Sequence, residues 1–146
     1  MPTSIVRSIE EQRQLSTLVA EYEASLPSDL RHNYEPIVDA ITNVGMLATL
    51  DGVPAGCVFV THFNDDSAII QRLYVRPDAR GHGLARTLMQ DAAHHARARG
   101  YRRLILDTDK NRLQAAYQLY LSLGFTECDS FGPVSYEDPT YMELAL

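Results

Sequence analysis

The sequence has only two cysteines, Cys57 and Cys128, far apart and in unrelated contexts. They form neither a C-x-x-C motif nor a disulfide ladder, which excludes a stapled scaffold and makes a reducing compartment the expected home. No apolar run approaches ~18 residues, and the start, MPTSIVRSIEEQRQ, lacks an apolar signal core. Neither a membrane span nor a leader is expected, and a cytoplasmic protein is predicted. Positive charge is also short overall. The formal net charge is −6, which disfavours nonspecific nucleic-acid binding and would draw cationic partners instead. Metal motifs are missing as well. His94 and His95 are adjacent on a predicted helix, so they point in different directions, and no H-E-x-x-H occurs. No metal is expected.

What is present suits an ordinary globular protein: 146 residues, 45% hydrophobic and 22% charged. That length fits one domain over 1–146 with a real core. Alternation predicts a first strand over 3–9. Leu15, Leu18, Val19, Tyr22 and Leu26 recur at helical spacing after Glu10, and Pro27 breaks that helix. A second helix is expected over 31–43, with Tyr34, Ile37, Val38 and Ile41 on its apolar face. A hairpin turning at Asp51-Gly52 follows, then a strand over 67–75. A long helix carries Leu84, Leu88, Met89, Ala92 and Ala96 and stops at Gly100. The strand 102–108 completes a βαβ unit, so it should run parallel to 67–75. Asp109 or Asn111 can cap a helix with Leu113, Ala116, Tyr117, Tyr120 and Leu123 on its stripe. Gly124 ends it, and two more strands are expected, one from Phe125 and one over 141–146.

The stretch 72–85 stands out. An apolar β run stops at Pro77, a turn with two glycines follows, and a helix starts. Free amides of a first helical turn, the positive end of the dipole and glycines without Cβ together make an anion site. Arginines also gather locally (Arg72, Arg76, Arg80, Arg86, Arg97, Arg99, Arg102, Arg103), which in an acidic chain fits a small anionic ligand; most of them also read simply as solvated helix faces. Nucleotide motifs fit poorly. The P-loop ending G-K-[ST] is absent, and the dinucleotide fingerprint finds Arg86 where a third glycine belongs.

Arg80-Gly81-His82-Gly83-Leu84-Ala85 does match R/Q-x-x-G-x-G/A, the pattern of the GNAT N-acetyltransferases. The RLYVRP strand (72–77), LDT (106–108) and a helix ending Leu119-Tyr120…Gly124-Phe125 resemble the same family, densely so from Arg72 to Phe125. AGCV (55–58) and MEL (142–144) resemble small bacterial members. The resemblance implies an α/β (α+β) fold: a mixed six- to seven-stranded sheet, helices on both faces, and a splayed pair of central parallel strands. It implies acetyl-CoA as co-substrate. Arg80, Gly81, His82, Gly83, Leu84, Ala85 and Arg86 would hold its pyrophosphate, Leu73, Tyr74 and Val75 would pair with its pantetheine, and Tyr117 would also contact it. A splayed strand gives a physical reason, because its free N–H and C=O groups suit an amide-containing arm.

The activity implied is acetyl transfer to a primary amine of a small molecule or peptide by direct attack on the thioester. Tyr120 occupies the family position of the acid that protonates the departing thiolate, and a phenol with an ordinary pKa near ~10 is protonated at neutral pH. Helical spacing alone would make it a core tyrosine. The amide of Leu73 or Tyr74 is the expected oxyanion donor. Many relatives carry a glutamate on the central strand, but Ala68, Ile69 and Ile70 stand there; Glu35, His62, Asp107 or none of them is left as a base acting through water, and each also reads as a surface or structural residue. Tyr34, Glu35 and His62 are candidate acceptor contacts, and the acidic balance suggests a cationic acceptor. Many relatives dimerise, so a homodimer is possible; no nucleic-acid or membrane partner is expected. The competing reading is a non-catalytic acyl-CoA-binding module, which the missing glutamate favours and Tyr120 with the intact turn opposes.

Overall fold

The computed structural model describes residues 3–32, 38–39 and 42–146. The first strand, β1, is shorter than alternation suggested and spans Thr3–Ile5. Ser8 then ends it by capping the first helix, α1 (Ile9–Ser25). The Ser8 hydroxyl accepts from the Glu11 amide at 3.0 Å, and the Glu11 carboxylate accepts from the Ser8 amide at 3.1 Å. This reciprocal capping box satisfies two amides that the first turn would leave open. The strands β2 (Asn43–Leu50) and β3 (Val53–His62) form the expected hairpin. Asp51 and Gly52 turn it with φ of 52° and 78°, the paired left-handed geometry of a tight two-residue turn.

The helix expected over 31–43 is corrected at both ends. Arg31 and His32 are not helical, nor are Val38 and Asp39, and Asn43 already pairs with Thr61 in β2. Pro36 disfavours helical geometry before it. Tyr34 and Glu35 lie outside the described residues.

After β4 (Ser67–Val75) come α2 (Leu84–Ala98), β5 (Arg103–Thr108), α3 (Gln114–Ser122), β6 (Thr126–Glu127) and β7 (Thr140–Ala145). The strands form one sheet in the order β1-β2-β3-β4-β5-β7-β6. All neighbours are antiparallel except β4 and β5, as the βαβ reading required. The pairing of β4 with β5 covers only Ser67–Ile69 against Arg103–Ile105. Beyond Ile69 the two strands part.

Packing follows from alternation. Leu15, Leu18 and Val19 of α1 bury against Leu47, Cys57, Phe59 and Tyr74 on one face. Leu88, Met89 and Ala92 of α2 bury against Val58, Ile70, Leu104 and Met142 on the other, where Tyr120 of α3 also sits. The strand β4 changes face midway. Ala68 and Ile70 point to the α2 side, yet Tyr74 points to α1. A bulge makes the switch, for the register with β3 slips between Cys57 and Phe59, and Arg72 takes φ of 52°. One extra residue on a strand moves every later side chain to the opposite face. Gly56 of β3 lets the strands meet there, because a Cβ would lie 2.7 Å from the Tyr74 carbonyl.

Candidate active site

Where β4 and β5 part, a cleft of ≈ 960 Å³ opens through the sheet. Its lower wall runs from Leu73 through Val75 and Arg80 to Ala85. Gly81 and Gly83 hold φ of 86° and 74°, with nothing within 4 Å of where a Cβ would stand. Gly83 is the N-cap of α2 and no side chain caps the helix, so the first-turn amides are open to a ligand. Arg80 reaches back to the Val75 carbonyl at 3.2 Å, and Arg86 bonds the Ser122 hydroxyl at 2.8 Å. Among the described residues neither has a carboxylate partner. An open amide turn with two uncompensated guanidiniums fits a phosphate-bearing group. The edge of β4 that β5 leaves free beyond Ile69 fits an extended amide chain beside it.

The opposite wall comes from the end of α1, Gln71, Asp107 of β5 and residues 134–136. The bulge turns Arg72 into the α1 face, where it is 3% exposed, bonds Glu23 at 3.3 Å and lies 5.6 Å from the centre of the Phe59 ring. Glu23 also takes His32 Nδ1 at 2.7 Å. Farther along, Arg112 donates to both Asp29 oxygens at 2.9 Å and to Asp109 at 2.6 Å. That pair ties the short 3-10 turn Ser28–Leu30 to the start of α3 across the cleft.

Tyr120 stands where the walls meet. It is 8% exposed and its ring packs 5.9 Å from that of Phe125. Among the described residues its hydroxyl makes no hydrogen bond, and the side chain lines the cleft. Burial raises its pKa well above the ordinary phenol value, and the nearby Tyr22 and Asp107 add to that. Asp107 accepts a hydrogen bond from Tyr136 at 2.7 Å. Burial raises the Tyr22 and Tyr136 hydroxyls too, with the Asp107 charge contributing to both. One carboxylate is thus ringed by three phenols held in their protonated form.

The structure therefore brings Leu73, Tyr74, Val75, Arg80, Ala85 and Tyr120 to one cleft, and places Gly81, His82, Gly83, Leu84 and Arg86 along the adjoining turn. It does not bring two other candidates there. His62 is exposed at the far end of β3, bonded to the Tyr101 hydroxyl at 2.7 Å. Tyr117 points to β6, bonding Glu127 at 2.6 Å. Tyr34 and Glu35 lie outside the described residues. Sequence reading missed Tyr22, which looks like any apolar-stripe residue of α1, and the Arg72–Glu23 pair. A charged residue inside the apolar run Ile69–Val75 was the available signal for the bulge. Among the described residues no helix is long and apolar enough to cross a membrane, and no three potential metal-ligating side chains cluster.

Comparison with known proteins gives this cleft a context. Residues 9–125 match the acetyltransferase (GNAT) family. An N-acetyltransferase of Schizosaccharomyces pombe is 28% identical over 155 residues, covering 98% of this chain and 93% of that protein. The phosphinothricin N-acetyltransferase of Alcaligenes faecalis is 25% identical over 136 residues, 89% of this chain and 68% of that one. Among solved structures, the ribosomal-protein-alanine N-acetyltransferase of Brucella melitensis aligns with a TM-score of 0.75 at 23% identity over 100% of both chains. A GNAT acetyltransferase of Elizabethkingia anophelis with acetyl-CoA bound aligns with a TM-score of 0.67 at 16% identity, covering 99% of each. The parted strands, the open glycine turn and the family match over most of the chain lead to one conclusion: the chain belongs to the acetyltransferase (GNAT) family and is an N-acyltransferase.

Proposed function

We propose that the chain transfers an acetyl group from acetyl-CoA to a primary amine of a small molecule or peptide by direct attack on the thioester. The observation that carries this reading is the Tyr120 phenol, buried, without a hydrogen-bond partner among the described residues and open to the cleft that Asp107 also lines. Acetyl-CoA supplies an electrophilic acyl carbon and a sulfur that leaves as thiolate. The open amides of 81–86 with Arg80 and Arg86 hold its phosphates, and the free edge of Leu73–Val75 aligns its amide arm. Asp107 takes a proton from the incoming ammonium and leaves a nucleophilic amine. Tyr120 hands its proton to the sulfur as the carbon–sulfur bond breaks, and regains one from the acylated nitrogen. Its raised pKa keeps that proton in place at neutral pH.

A second reading, an acyl-CoA-binding module without turnover, is favoured by one feature: Ala68, Ile69 and Ile70 put no carboxylate on the upper part of β4. Thiol release from acetyl-CoA with a panel of primary amines separates the two. Amine-dependent release, with the N-acetyl product identified by mass, is the expected result. Tight acetyl-CoA binding with no amine-dependent release across the panel would establish the module instead.

A further inference from the structure

The charges lining the cleft narrow the acceptor, an inference that rests on the acetyl-transfer reading. Cations on the acceptor side already have partners. Arg72 and His32 share Glu23, and Arg112 is held by Asp29 and Asp109. Arg31 donates to the Leu26 and Ala24 carbonyls at 3.0 and 3.5 Å, the negative end of α1, where a cation complements the helix dipole. Arg80 belongs to the opposite wall, beside the glycine turn. Positions 33–37 and 40–41 add no cation, because the only charged residue among them is Glu35.

Asp107 differs from all of these. It is partly buried, it lines the cleft, and among the described residues its one hydrogen-bond partner is the neutral Tyr136 phenol. A carboxylate withdrawn from water without a cation is costly and attracts one strongly. The Tyr22 hydroxyl makes no hydrogen bond in the described structure and opens on the same space. It is free to bond a ligand held at Asp107.

We propose that the acceptor is an alkyl- or arylalkylammonium with no carboxylate beside the reactive nitrogen, its ammonium held by Asp107 and Tyr22. A free α-amino acid carries its own carboxylate two bonds from the ammonium nitrogen and so brings it next to Asp107. It would meet like charge at Asp107, while the cations of that wall are hydrogen-bonded to carboxylates or, for Arg31, to the carbonyls at the end of α1. A decarboxylated amine, a polyamine or a peptide amino terminus meets neither obstacle.

Isothermal titration of the CoA-loaded protein with matched pairs that carry a single amine tests this: phenethylamine against phenylalanine, and tyramine against tyrosine. The decarboxylated member should bind at least about 10-fold more tightly, the size expected for juxtaposed like charges at a partly dry site. Asp107→Asn should bring each pair within about 2-fold while CoA affinity stays unchanged. Tyr22→Phe should weaken both members without changing their ratio, since it removes a hydrogen bond and no charge. Equal or tighter binding of the amino acids overturns the proposal, as does a preference that survives Asp107→Asn, or a CoA-loaded protein that binds neither member of any pair. Should Asp107→Asn fail to fold, the wild-type ratio alone decides. Failure of CoA itself to bind would contradict the acetyl-transfer reading first, and would show as such.

Discussion

The wall built from Leu73–Val75 and the glycine turn presents uncompensated guanidiniums and open backbone amides. The wall built from α1, Asp107 and residues 134–136 presents one uncompensated carboxylate among phenols. The first is made almost wholly of contiguous chain and main-chain groups. The second is assembled from side chains as distant as Tyr22 and Tyr136. A site made of backbone tolerates little change of sequence pattern, because glycine conformation and helix geometry specify it. A site made of scattered side chains can change its ligand by one substitution. The first wall is thus fixed by local chain pattern, and the second by which side chains the fold brings together.

Breaking the second wall should have the largest effect. Asp107→Asn removes the proposed proton acceptor and should lower kcat/KM for any amine by about 100-fold or more, while titration calorimetry finds acetyl-CoA binding unchanged. Breaking the first wall should do the reverse. Gly83→Ala places a side chain at φ of 74°, which costs roughly 1–2 kcal/mol and disturbs the cradle. Acetyl-CoA binding should weaken about 10-fold, and a melting curve should report the lost stability.

The next effect is on acid stability. Asp109 accepts from the Arg112 and Asn111 amides and from the Arg112 guanidinium, which lower its pKa, the Arg112 amide most. A depressed folded pKa contributes stability above the unfolded value of about 3.9, lost as pH falls through the folded value. Unfolding at graded pH should show Asp109→Asn flattening the acid limb below about pH 4. The smallest effect belongs to the Asp29–Arg112 pair. Asp29→Asn removes only an ion pair whose carboxylate is half exposed, and solvent and salt screen such pairs. A denaturant midpoint close to that of wild type is expected.

The fold was legible because periodicity and punctuation agree in this chain. The stripe of α2, the stop at Gly100 and the Asp51-Gly52 turn each carry an unambiguous local cause. The ends of the second helix were misread because an apolar pattern there is also what β2 and its approach require. The glycine turn was legible because its function is local. Tyr22 was not, since an apolar-stripe tyrosine that packs 5.9 Å from Tyr74 and one that faces a ligand look alike in sequence. His62 read as a site residue only while the length of β3 was unknown; ten residues carry it to the far end of the sheet. The bulge at Arg72, which sorts Tyr74 from Ile70, needs register, and register is not local.

Tyr120 is the point on which both walls depend. The most direct measurement is the rate of amine-dependent thiol release from acetyl-CoA by Tyr120→Phe beside wild type, from pH 7 to 10. The ring and its packing on Phe125 survive that change, so only the hydroxyl is removed. A kcat lower by about 100-fold, with KM for acetyl-CoA unchanged, is predicted. Wild-type kcat should show no loss from phenol ionisation across that range, since burial holds the hydroxyl protonated. Full turnover by Tyr120→Phe, or a wild-type rate that falls with the titration of an ordinary phenol, would contradict the account.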